Sequence, residues 1–130
     1  MKTLSRLLLL ALLAALLVAG SAAAQSLRNF PPDALRGTIQ VLQSPEVALN
    51  DKPARLAAGA RIFGADNLIK LPASLTGTKF VVNYTLDTQG FVHKVWILSA
   101  TEAAKKPWPT TVAEAQAWRF DVVAQAWTKP

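Results

Sequence analysis

Cysteine is absent from this chain, and histidine occurs once, at His93. The first absence excludes the disulfide staples on which many small exported domains rely. It also excludes lipid attachment through an N-terminal cysteine. Together the two leave no basis for the usual zinc centres, which need three or four His or Cys ligands. The acids Glu46, Asp51, Asp66 and Asp87 are scattered, so neither a carboxylate-built metal site nor a paired-carboxylate hydrolase site stands out. Asp51 and Asp87 sit in turn sequences, and Glu102 and Glu114 in helix-capping positions. None of Ser44, Ser74 and Ser99 lies in a G-x-S-x-G elbow, and there is no Gly-rich phosphate loop. Only Lys105 and Lys106 are adjacent among the basic residues, which is not the charge block of a nucleic-acid arm. No metal, cofactor or nucleic acid is expected, and no catalytic constellation is legible.

What is present begins with an address. Lys2 and Arg6 precede an unbroken Leu/Ala/Val run from Leu7 to Val18, followed by Ala22-Ala23-Ala24. The run is shorter than the ~20 residues that cross a bilayer as a helix. Charged start, short apolar run and small residues predict a signal peptide over residues 1–24, cut before Gln25. The mature chain is then expected in the periplasm or secreted, with no transmembrane segment. The leader holds two of the 14 basic residues and none of the 8 acids, so the mature chain keeps twelve against eight, a net of +4. That balance suits solubility and permits association with anionic envelope material.

The mature residues divide into an N-terminal tail, 25–37, and one β-rich domain, 38–130. Phe30-Pro31-Pro32-Asp33 cannot be regular structure, because each proline fixes φ and removes a donor; Asp33 to Arg36 suits one helical turn. Short strands are expected at Thr38–Leu42, Glu46–Leu49, Ala54–Leu56, Ala60–Phe63 and Leu68–Leu71. Asn50-Asp51 and Ala57-Ala58-Gly59 are read as turns between them. This spacing indicates a mainly β fold, a small antiparallel barrel or sandwich. One or two short helices follow near the C-terminus. Ser99-x-x-Glu102 and Thr111-x-x-Glu114 both fit capping boxes, the second opening a helix over residues 112–119 that packs Trp118 on the sheet. A last edge strand is expected between Asp121 and Trp127.

The strongest element is a hairpin from Lys79 to Leu98, split by Asp87-Thr88-Gln89-Gly90. Phe80, Val82, Tyr84 and Leu86 share the inward face of its first arm. Three registers are open for the second arm: a type I turn with Gly90 as a bulge, a plain four-residue loop, or the turn with a further bulge near His93-Lys94. The last buries Val92, Val95 and Ile97 and leaves Phe91 and Trp96 to solvent, a partner or the C-terminal segment. Asn83-Tyr84-Thr85 is formally a glycosylation sequon but falls mid-strand.

Two resemblances follow from these residues. The strand, the Asp87-x-x-Gly90 turn, the arm with Val92, Val95 and Ile97, the short helix, and then Ala113 to Ala117, Trp118 and Phe120 resemble part of the TonB C-terminal domain. That likeness spans less than half the mature chain, and the strands from Thr38 to Leu71 have no counterpart there. Across the whole mature chain, Phe30-Pro31, Ala34 to Gly37, Pro45-Glu46-Val47, Leu49-Asn50, Ala60-Arg61-Ile62, Asn67, Val82 to Thr85, Gly90, Val95-Trp96, Pro107-Trp108-Pro109 and Trp118-x-Phe120 make it similar to small exported proteins of betaproteobacteria. That resemblance implies export and carries no catalytic residue.

The expected function is a periplasmic binding or adaptor module of the cell envelope. Trp96 and the Pro-flanked Trp108, with Lys105 and Lys106, are the candidate binding residues for a protein or an anionic polymer, since exposed tryptophans supply amphipathic contact area. The other readings are a carboxylate-based envelope hydrolase and a structural subunit that pairs through an edge strand. The oligomeric state is open. Mass spectrometry of protein recovered from the periplasm of an expressing bacterium should give a chain beginning at Gln25; an intact leader would refute the assignment.

Overall fold

The inward apolar sets of five strands can all be buried at once only if the sheet closes. In the computed structural model, which describes residues 28–130, it does. The leader expected over residues 1–24 lies outside the described residues. The strands are β1 (Leu35–Gln43), β2 (Glu46–Leu49), β3 (Lys52–Phe63), β4 (Ile69–Lys70), β5 (Lys79–Leu86) and β6 (Val92–Ile97). The sheet order is β2-β1-β5-β6-β3-β4, and β2 also pairs with β3. The ring β1-β2-β3-β6-β5 is therefore a closed five-stranded barrel, with β4 added beside the end of β3. All its seams are antiparallel except β3–β6, which is parallel. A meander of three strands, then a hairpin inserted in reverse order with one parallel seam, is the Greek-key topology of an OB-type barrel.

β1 serves two neighbours. Its first part, from Leu35 to Gln40, pairs with β5, and its second, from Ile39 to Gln43, pairs with β2. Within the first part, Gly37 leaves room for a close approach: a Cβ there would lie 2.5 Å from Asn50 Oδ1 and 3.0 Å from the Tyr84 ring. Asn50 Oδ1 also accepts the Thr38 N–H at 2.9 Å. Asn50 and Asp51, both at positive φ, make the β2–β3 turn, as short polar side chains allow.

The expected turn at Ala57 to Gly59 is instead a bulge inside one long strand. Gly59 takes φ +76°, and pairing with β6 resumes after five steps along β3 against two along β6. The bulge bends the strand without ending it. The main hairpin takes the third of its three registers. Leu86 faces Val92, Tyr84 faces Val95 and Val82 faces Ile97, with His93 as the extra residue. Asp87 Oδ1 accepts the N–H groups of Gln89 and Phe91, and Gly90 takes φ +85°. The barrel interior is filled by aliphatic side chains from every strand of the ring, with Tyr84 among them. A 3-10 turn, Pro72–Leu75, packs Leu75 against that core.

The C-terminal third forms a second apolar cluster on the outer side of the barrel. It comprises α1 (Ala100–Ala103), α2 (Val112–Ala117), β7 (Arg119–Asp121) and β8 (Ala126–Thr128). The last two replace the expected single edge strand with a hairpin, because Asp121 Oδ1 accepts the N–H groups of Val123 and Ala124 and turns the chain. Phe30, Ala34, Leu98, Trp108 and Trp127 are the buried members of this cluster. Phe30 and Ala34, read as part of a tail, thus belong to the core, and β1 starts at Leu35 where a helical turn was expected. Phe30 is the cause: its ring packs edge-on against both Trp96 and Trp108, at 5.6 and 5.8 Å. Ser99 and Glu102 form the full capping box of α1. At α2 only the Thr111 half forms, and the Glu114 carboxylate turns to Thr110 instead.

Two arginines tie this cluster to the barrel. The Glu102 side chain is only 4% exposed and pairs with Arg28 at 2.7 Å. Arg28 also donates to the carbonyls of Gly64 and Ile97. Arg36, on β1, donates to Asn83 Oδ1 at 2.7 Å and to the Ala103 carbonyl at 3.1 Å. Asn83 is buried, as are the other two residues of the sequon that contains it, Tyr84 and Thr85.

Burial alone would raise the Glu102 carboxyl; hydrogen bonds from Arg28 and the Ser99 N–H, with the charge of Arg28, outweigh it and hold the group below its ordinary value of 4.5. A carboxylate whose folded pKa is depressed stabilises the fold above the unfolded value and loses that contribution as pH falls through the folded one. Urea midpoints should therefore fall as pH drops below about 4.5. Glu102→Ala, which strands Arg28 beside a buried surface, should cost roughly 3 kcal/mol at neutral pH and remove much of that acid dependence.

Candidate binding face

The structure separates the four residues singled out from the sequence. Trp108 is turned inward and only 6% exposed, so it offers no contact surface. Its Nε1–H donates to the Ala34 carbonyl at 2.9 Å, and Arg36 lies over its ring at 5.1 Å. The flanking prolines hold it there: Pro109 is fully buried, and its carbonyl accepts the Arg36 N–H at 2.7 Å. Trp96 is half-buried between Phe30, edge-on, and Phe63, stacked at 6.1 Å. Lys105 is half-buried with its Nζ on the Ala124 carbonyl, and Lys106 is exposed. The two tryptophans are packing, and the two lysines lie at the edge of the aromatic cluster.

Outward residues on the rest of the barrel form a different surface. A groove of about 520 Å³ lies where the β1–β2 turn, the bulged part of β3 and the β5–β6 turn meet. Pro45, Arg55, Ala57, Ala58, Gln89 and Phe91 are among its lining residues. Phe91 is 38% exposed. It stays outside because the turn puts Val92 in the core and so sends its predecessor outward. Farther along the same two strands, the parallel seam pairs Arg61 with Lys94. Both are exposed while their neighbours Ile62 and Val95 are buried, so both side chains point outward. His93, the bulged residue, is exposed beside them. Like charges set opposite each other cost stability, and among the described residues neither cation has an ion-pair partner. Arg55 pairs with Glu46 at 3.5 Å, but both are exposed and the pair is weak.

A second recess of about 440 Å³ lies on the other side of the β5–β6 turn. Leu35, Leu86, Val112 and Ala115 make its apolar wall, so α2 closes this end of the barrel incompletely. The carboxylates are mostly engaged. Asp66 accepts from the Leu68 N–H and from Lys70, which hold its carboxyl below the usual range. Asp51 pairs with Lys79, and Glu114 accepts from Thr110 and Thr111. Among the described residues no three His, Cys, Asp or Glu side chains converge as a metal site would require.

Phe91, Arg61 and Lys94 were visible in the sequence, but their grouping was not. The Asp87-x-x-Gly90 signal exposes Phe91, whereas pairing Arg61 with Lys94 needs a parallel seam between strands thirty residues apart. Comparison of the chain with protein-family models, curated proteins and solved structures finds no match.

Trp108→Ala should act on stability, lowering it by about 3–5 kcal/mol as a large buried ring is removed. Urea unfolding followed by fluorescence measures this. A variant as stable as the parent would contradict the packing role.

Proposed function

We propose that the chain is an exported, non-catalytic binding module of the cell envelope, which holds an acidic oligosaccharide across the outer side of β3 and β6. One observation carries this reading: Arg61 and Lys94, unneutralised and paired across the β3–β6 seam, lie farther along the two strands whose near ends border a groove walled by the exposed Phe91. Paired cations suit the carboxylates of an acidic polymer. An exposed aromatic face suits the apolar side of a sugar ring. The fold adds an analogy: OB-type barrels commonly take oligosaccharides and oligonucleotides on the face of their second and third strands and on two bordering turns, and the corresponding turns here, β1–β2 and β5–β6, both line the groove. The predicted leader favours the saccharide, because it directs the chain away from nucleic acid. The non-catalytic part is supported by the carboxylates, seven of which are engaged in ion pairs, caps or turns.

Isothermal titration with polygalacturonate oligomers should detect salt-sensitive binding, and neutral dextran should give none. Arg61→Glu with Lys94→Glu should weaken binding about tenfold or more, since it reverses the field that meets the polymer. Phe91→Ala should weaken it independently of salt. Unchanged affinity in the charge-reversed variant would sink the proposal.

A further inference from the structure

A surface remote in sequence from the groove carries an independent inference. The β7–β8 hairpin ends in Val122 and Val123, which are 61% and 96% exposed. The polar residues of this turn face its base. Asp121 Oδ1 accepts the N–H groups of Val123 and Ala124. Gln125 is buried, its amide bonded to the N–H and carbonyl of Phe30 and to the Val122 carbonyl. The turn is thus fixed from beneath, and the side chains at its apex are two branched hydrocarbons. Turn apices usually carry Gly, Asn, Asp or Ser, so the apex has a composition that local conformation does not ask for.

The neighbourhood of the apex is cationic. Lys105 Nζ donates to the Ala124 carbonyl at 2.7 Å, which sets its ammonium against the turn, and the next residue in the chain, Lys106, is exposed. Asp121, the acid within the turn, has one oxygen committed to backbone N–H groups. Two valine side chains are far too little apolar area for a stable protein interface, which buries on the order of 1,200 Å² or more. Insertion into a bilayer interface needs no such complementary shape. A small apolar tip enters the headgroup–acyl boundary while flanking ammonium groups remain at the phosphates. We propose that this hairpin docks the protein on an anionic lipid surface, with Val122 and Val123 inserted and Lys105 and Lys106 facing lipid phosphates.

The absence of cysteine allows a clean test. Val123→Cys supplies a single thiol for a polarity-sensitive fluorophore, and Gln89→Cys does the same at the β5–β6 turn. The chain from Gln25 onward holds every residue of both apolar clusters and omits the apolar leader, which would itself enter lipid. With vesicles of phosphatidylcholine plus phosphatidylglycerol, the label at 123 should shift to the blue, and salt should reverse the shift. Pure phosphatidylcholine should give no shift, and the label at 89 should not respond. Val123→Asp, at a solvated position, should fold as the parent does by circular dichroism and co-sediment with the anionic vesicles about tenfold less. No shift at 123, equal shifts at both labels, or unaltered co-sedimentation of Val123→Asp would each overturn the proposal. Failure of polyuronate binding has no bearing on it, since the two surfaces share no residue.

Discussion

The buried carboxylate of Glu102 is the constraint on which the upper half of this structure depends. A charge out of water must be paired and hydrogen-bonded or it destabilises its surroundings. Here it is met by Arg28 from the N-terminal stretch and by the Ser99 N–H of its own helix cap. Arg28 in turn satisfies carbonyls of the barrel at Gly64 and Ile97. Arg36 completes the tie from β1 to the carbonyl end of α1. Arg36 also reaches the outward side of β5, where Asn83 and Thr85 are buried and Asn83 Oδ1 accepts its guanidinium N–H. The aromatic cluster then has a surface on which to form.

The barrel consequently has two kinds of exterior. Its interior is filled by aliphatic side chains and Tyr84. Part of its outer surface is covered by Phe30, Trp96, Trp108 and Trp127 with their neighbours. The remaining part, over β3 and the start of β6, is open and carries cations, a groove and Phe91. Covering part of the exterior with large apolar rings adds a second core to a small domain without disulfides and leaves the rest of the barrel surface open.

The four tryptophans illustrate why residue type is a poor guide to role. Trp108 sits between two prolines in a segment that reads as a rigid exposed loop. Yet Phe30, Phe120 and Trp127 surround it, and its indole N–H reaches a carbonyl of the N-terminal stretch. The rigid segment serves to hold the ring in the core. The apolar side chains that do remain outside include Val122 and Val123, which no aromatic or motif-based reading selects.

Local chemistry was legible where it acts between near neighbours. The Asp87-x-x-Gly90 turn, the inward alternation of Phe80, Val82, Tyr84 and Leu86, the Ser99–Glu102 cap and the Asn50-Asp51 turn each depend on side chains within a few residues of the backbone they direct. The mainly β class with short C-terminal helices follows from these alone. What needed the tertiary structure were the parts whose partners are distant. Gly59 reads as a turn but is a bulge, because β6 continues to pair on either side of it. Phe30 and Arg28 read as a tail but are core, because Trp96, Trp108 and Glu102 reach them from about seventy residues away. Arg61 meets Lys94 only through the parallel seam that closes the barrel. Contacts of that range are set by closure of the sheet and by burial of charge, and neither leaves a periodic trace in the sequence.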